Sequence, residues 1–174
     1  MNGQPLSRDH GFPARLIVAG EYAYTSGTKW LERIEITDFA SVHGYWVPRG
    51  WAKEAPVKTG SRIDTLSAQD RLSAEPLTIG GVAWAPGLGV ERVEVGIAST
   101  AEPDTTTWLE AELGDVGSDE TWIQWRFDWE AEDGDWIVRV RATDNSGVTQ
   151  ASEETPAAPD GGQGHHAVAI RVET

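Results

Sequence analysis

The 174-residue chain contains no cysteine. Disulfides, a thiolate nucleophile and thiolate metal ligands are therefore excluded from the chain itself. The absence does not specify a compartment, because many secreted proteins also lack cysteine. No apolar run approaches the roughly 18 residues that a membrane span requires. The opening Met1-Asn2-Gly3-Gln4-Pro5 has neither the basic nor the apolar stretch of a signal peptide. Also missing are a Gly-x-Ser-x-Gly elbow, a P-loop and a dinucleotide fingerprint. The four histidines are scattered and form no triad. The adjacent pair His165-His166 would point to opposite faces of a strand, which makes a chelate improbable. Asp144-Asn145-Ser146-Gly147 lacks the later acids of a calcium loop and reads as a turn. The chain by itself holds no self-sufficient catalytic constellation.

Positive charge is also scarce, with 14 Lys/Arg against 28 Asp/Glu and a net charge of −14. It is unevenly spread. Residues 1–62 carry eight bases and six acids, and all the remaining excess of acid lies beyond them. A chain this acidic is repelled by nucleic acid and by anionic lipid, so neither a nucleic-acid partner nor membrane contact by this segment is expected. The acids keep the second part soluble, while the basic excess of the first part suits one compact anion.

What is present divides at about residue 62. Residues 1–62 show little periodicity. Leu16-Ile17-Val18 suits a short buried strand and residues 29–36 suit another. A loop of small and turn-forming residues, 20–28, lies between them. The aromatic stretch Tyr45-Trp46-Val47-Pro48-Arg49-Gly50-Trp51 is irregular. Such a segment has too few strands to close a core and must pack on something else. From residue 63 short strands recur at regular spacing, the pattern of a β-sandwich with six or seven strands and no helix of normal length. They are expected at 77–84, 89–97, 106–113, 120–129, 136–142 and 166–172. Val93, Val95 and Ile97 should face inward, as should Ile123, Trp125, Phe127 and Trp129, and Trp136, Val138, Val140 and Ala142. Asp133-Gly134 reads as a hairpin turn.

Nine tryptophans in an acidic sandwich would suit sugar stacking, but Trp125, Trp129 and Trp136 fall on apolar faces and read as core. Trp46 and Trp51 lie off any strand and suit a pocket or an interface. The more specific chemistry is at the front. His10-Gly11-Phe12-Pro13-Ala14-Arg15 sets an imidazole and a guanidinium on a stretch stiffened by proline and made approachable by glycine. The guanidinium fork matches phosphate. Ser26-Gly27-Thr28 offers backbone N–H groups and hydroxyls, and Lys29 adds a point charge. Together these would make an anion cradle. The same residues are equally consistent with ordinary surface ion pairs.

Several runs taken together carry a resemblance. Met1-Asn2-Gly3-Gln4-Pro5-Leu6, then His10-Gly11-Phe12-Pro13-Ala14-Arg15, then Lys29-Trp30-Leu31, resemble the sulfite oxidase family of molybdopterin enzymes. Gly80-Gly81-Val82-Ala83-Trp84-Ala85, Val93-Glu94-Val95, Trp122-Ile123-Gln124-Trp125 and Arg141-Ala142-Thr143-Asp144 resemble that family's C-terminal dimerisation domain. Tyr45 to Trp51 and Lys58-Thr59-Gly60-Ser61-Arg62-Ile63-Asp64 resemble its bacterial branch, which carries membrane-spanning helices upstream.

The resemblance implies a mainly β chain. An immunoglobulin-like antiparallel β-sandwich, residues 63–174, would follow residues 1–62 as a fragment of an α+β molybdopterin-binding domain. It implies that His10 and Arg15 hold the molybdopterin and that Gly27, Thr28 and Lys29 meet its phosphate region. The chemistry implied is oxygen-atom transfer at molybdenum. The expected partners are a second copy through the sandwich and the upstream part of the same cofactor domain. The family's metal-ligating cysteine lies upstream of the Met-Asn-Gly motif, so molybdenum is expected in the complete protein and not in this chain, which should be inactive alone. The family's Val-Pro-Gly reads Val18-Ala19-Gly20 here, and its Tyr-Gly reads Tyr22-Ala23. Sulfite-oxidising members place an arginine in the loop before the last strand, and residues 157–164 have none. A non-catalytic β-sandwich binding or assembly module is the alternative reading, with a carbohydrate-binding sandwich behind it.

Overall fold

The computed structural model describes residues 3–68, 70–115 and 117–173. The chain forms two compact units, and it passes between them three times. The first unit runs to Val57 and takes back the loop Pro156–Gly162; the second comprises Lys58–Thr155 and the segment from Gln163 onward.

The second unit is a two-sheet sandwich. Its strands are β1 (Gly60–Ile63), β2 (Arg71–Ser73), β3 (Pro76–Trp84), β4 (Val90–Ser99), β5 (Thr107–Glu110), β6 (Glu112–Leu113), β7 (Ile123–Glu130), β8 (Gly134–Asp144) and β9 (His166–Glu173). One sheet has the order β1-β3-β7-β6 and the other β2-β9-β8-β4-β5. All pairs are antiparallel except β2 with β9 at one edge. The alternation seen in the sequence sets the inner faces. Val93, Val95, Val138, Val140 and Ala142 of one sheet meet Ile79, Ala83, Ile123 and Trp125 of the other, all fully or nearly fully buried. Trp129 and Trp136 meet each other edge to face and pack against this core from its partly buried margin. Each Val or Ile withdrawn from water contributes roughly 1.5–3 kcal/mol.

Three expectations are corrected. Residues 106–113 are two strands that belong to different sheets, because the chain kinks at buried Ala111, whose N–H is held by the Val93 carbonyl at 2.9 Å. Asp133-Gly134 does not close a hairpin: β7 and β8 lie in opposite sheets, so the turn is a crossing between layers. The short strands β1 and β2 were not foreseen as such. β1 has one large apolar residue, Ile63, and is fixed instead by the Trp84 indole lying over Gly60, where a Cβ would come within 2.7 Å of the ring.

The first unit contains no strand among the described residues. Its elements are 3-10 turns at Arg8–His10 and Val47–Arg49 and a single helical turn, α1 (Ala23–Ser26). The strands expected at 16–18 and 29–36 are absent for want of partners. Leu16 bridges only to Thr28, while Ile34 and Ile36 are 69% and 99% exposed. The alternation in residues 29–36 is genuine, but nothing within the unit covers its apolar side.

Candidate functional site

The candidate site is built around Gly11. Its φ of +105° is open to glycine and costly for other residues. Its bare Cα face lies against the neighbouring chain, where a Cβ would sit 3.1 Å from Lys29 Cβ and 3.3 Å from Arg15 Cβ. The glycine therefore lets the stems of two cationic residues, 14 apart in sequence, approach each other. The bridge between Leu16 and Thr28 holds the two strips side by side, with N–H···O distances of 2.9 and 3.1 Å, and Leu31 N–H adds a bond to Ala14 O at 2.9 Å. Trp30 donates its indole N–H to Arg8 O at 2.8 Å, which closes the cluster on the side of the Arg8–His10 turn.

The charges in this cluster are not neutralised. Lys29 Nζ donates to a backbone carbonyl, Asp9 O, at 2.7 Å and makes no ion pair with a described carboxylate. Arg15 is exposed and has no side-chain partner among the described residues. His10 Nδ1 lies 2.6 Å from Ser7 Oγ, so one ring nitrogen is already engaged and Nε2 remains available.

The backbone donors expected from Ser26-Gly27-Thr28 are a correction. All three N–H groups are taken, by Tyr22 O at 3.1 Å, Ala23 O at 2.8 Å and Leu16 O at 3.1 Å, and Ser26 Oγ donates to Glu21 O. The helical turn α1 and the bridge consume donors that a free loop would have left open. Gly27 and Thr28 thus offer shape and one hydroxyl, while the charge comes from Arg15 and Lys29.

Two features of this unit escaped the sequence. One is that Pro156–Gly162, which reads simply as a Pro/Gly loop, belongs to it. Pro159 O accepts Ala52 N–H at 2.7 Å and the Tyr24 hydroxyl at 3.0 Å, and Gly161 lies flat against the Tyr22 ring. The other is the place of Lys53 in a cavity lined by Trp46: the sequence marked Trp46 for a pocket or an interface but gave no signal for Lys53.

The residues of the oxidoreductase molybdopterin binding domain family match positions 1–46. The sulfite oxidase of Gallus gallus is 30% identical over 178 residues, 90% of this chain and 38% of that protein. The nitrate reductase (NADPH) of Mycosarcoma maydis is 51% identical over 43 residues, 25% of this chain and 4% of that one. The fold of the sulfane dehydrogenase SoxCD from Paracoccus pantotrophus superposes with a TM-score of 0.72 over 99% of this chain and 49% of its own, at 22% identity. The chain is a sulfite oxidase-like member of the molybdopterin oxidoreductases, and its second part has the immunoglobulin-like sandwich fold. It spans well under half the length of the curated relatives it matches.

The match implies a molybdenum cofactor in the full protein. The Gly11 cluster fits the phosphate-bearing end of a molybdopterin: two uncompensated cations flank a backbone that a Cβ would block. The metal end is not provided for. There is no cysteine, and no group of three or more His, Asp or Glu among the described residues could hold a metal ion.

Proposed function

We propose that this chain supplies one wall of a molybdopterin pocket, together with a dimerising sandwich, to an oxygen-atom-transfer oxidoreductase of sulfite oxidase type, and that it is inactive alone. The observation that carries the reading is the convergence of Arg15 and Lys29 on Gly11. Arg15 would meet the pterin phosphate with its planar fork, Lys29 would add a point charge whose stem is fixed by Asp9 O, and His10 would present Nε2. Gly27 and Thr28 would shape the floor. Molybdenum, when bound in the complete protein, supplies two-electron redox chemistry. Sulfite is not the substrate we favour: the Pro156–Gly162 loop packs into this unit and carries no arginine.

Two measurements test the reading. Titration with inorganic phosphate should move the amide resonances of Gly11 and Lys29, and Arg15→Ala should weaken the response about tenfold, the loss of one charge-assisted contact. Chain produced in a host that makes the cofactor should contain well under about 0.1 molybdenum per chain by elemental analysis, because thiolate and second half of the pocket are lacking. Stoichiometric molybdenum would favour a self-sufficient site. Absence of any phosphate response at Gly11, with the fold intact, would favour the assembly-module reading.

A further inference from the structure

The first unit contains a second cationic site that shares no residue with the Gly11 cluster. A cavity of about 230 Å³ is walled by Tyr24, Phe39, Tyr45 and Trp46, with Lys53 in its lining. Lys53 Nζ is buried and has no hydrogen-bond partner. It lies 4.1 Å from the centroid of the Phe39 ring. A cation–π contact offsets part of the cost of burying an ammonium, but it satisfies none of that group's three N–H donors. An ammonium buried without an acceptor is expensive, and native structures pair such groups. Glu54, the next residue, is exposed and makes no ion pair with it. The hydroxyl of Tyr24 is turned away to Pro159 O and leaves its ring as wall. One wall is itself held by a cation: the Arg49 guanidinium lies 3.6 Å from the centroid of the Tyr45 ring and donates to Tyr45 O at 2.6 Å.

We infer that this cavity binds a small carboxylate attached to a flat apolar body, the carboxylate accepting from Lys53 Nζ and the body lying between the aromatic walls. The size supports a single ring or a short chain, since the volume is below the roughly 300–1,000 Å³ of pockets for drug-sized ligands. The lone buried ammonium supports a single negative charge. Aromatic walls favour a planar body over a phosphate, whose shell of oxygens they could not satisfy.

Benzoate and its neutral counterpart benzyl alcohol are the probes, titrated into the full chain by NMR. Benzoate should saturate with a Kd below about 1 mM and shift the Trp46 indole N–H, and benzyl alcohol should bind at least tenfold more weakly. Lys53→Met should weaken benzoate about tenfold and leave benzyl alcohol unchanged. Equal binding of the two probes, no saturation by benzoate, or benzoate binding undiminished in Lys53→Met would overturn the inference. Should Lys53→Met fail to fold, the two probes on the unaltered chain decide the matter alone. The Trp46 indole N–H reports this cavity and the Gly11 amide reports the other cluster, so the two sites are read separately in the same titration.

Discussion

His165 packs edge-on against Trp108, with ring centroids 5.3 Å apart, and its Nε2 lies 3.2 Å from Gln150 O. Burial first, then the charges of Arg141 and Arg139, hold its pKa below the ordinary histidine value, with the bond to Gln150 opposing them. Next to it, His166 is also lowered, by burial and then by Arg62, with Asp64 opposing. A histidine whose folded pKa is depressed takes up its proton more readily when unfolded. Stability is therefore fully present above about pH 6.5, and it is lost as pH falls from there through the lower folded values. Urea unfolding at a series of pH values should show this decline as pH falls below about 6.5, and His165→Gln should flatten part of it. An unchanged slope in that variant would mean that His165 titrates normally. Gln150 beneath it carries a different load. Its Oε1 accepts from Ser61 Oγ at 2.7 Å and Ala142 N–H at 3.2 Å, and its Nε2 donates to Gly164 O at 2.8 Å. Gln150→Leu would strand these groups in the interior, and we expect a loss of about 2–4 kcal/mol in the urea midpoint analysis.

At the scale of elements, the two units differ in how well their strands and turns are covered. In the sandwich, β7 pairs along its whole length with β3, and β8 is flanked by β4 and β9. In the first unit Ile17, Val18, Trp30, Ile34, Ile36, Phe39 and Tyr45 are each more than two-fifths exposed. Each such side chain left wet forgoes roughly 1.5–3 kcal/mol, so this unit opens more easily. Amides of residues 3–40 should exchange with solvent well ahead of those of Ile123–Glu130 in a monomeric sample. Equal protection would show that the first unit is stabilised by something beyond the contacts described. The same contrast explains what was legible in the sequence. Alternation of period two located β4, β7 and β8 and their inward residues, because burial on one face writes that period directly, while β3 and β9 were marked by short strand-like runs at regular spacing. The edge pieces β1 and β2 left little trace: one is held by an indole over Gly60, and the other has only Leu72 turned toward the core. At the candidate site, His10, Arg15 and Lys29 were singled out by residue type, but the approach of Arg15 and Lys29 at Gly11 depends on backbone geometry. The loss of the backbone donors at 26–28 depends on a helical turn too short to announce itself.

For the molecule as a whole, the sandwich is the part we expect to associate. Trp84 and Trp122 stack on its surface with centroids 5.0 Å apart, Trp122 is 57% exposed, and Arg62 lies over the Trp122 ring at 5.9 Å. Aromatic and arginine side chains of this kind are enriched in interfaces. Sedimentation equilibrium at tens of micromolar and moderate salt should show a homodimer, and Trp122→Ala should shift it toward monomer by about 1–2 kcal/mol of association energy. Monomer alone at those concentrations would count against the sandwich as the dimer contact.

The return of Pro156–Gly162 to the first unit also bears on synthesis. Ribosomes emit a chain from its N-terminus at about 5–20 residues per second. Val57 thus leaves the tunnel roughly 5–20 s before the loop that supplies Pro159 O to Ala52 and Tyr24. Throughout that interval the sandwich strands emerge in order while the earlier segment waits, its indoles and isoleucines available to chaperones. The first unit thus stays incomplete until only β9 of the sandwich is left to emerge.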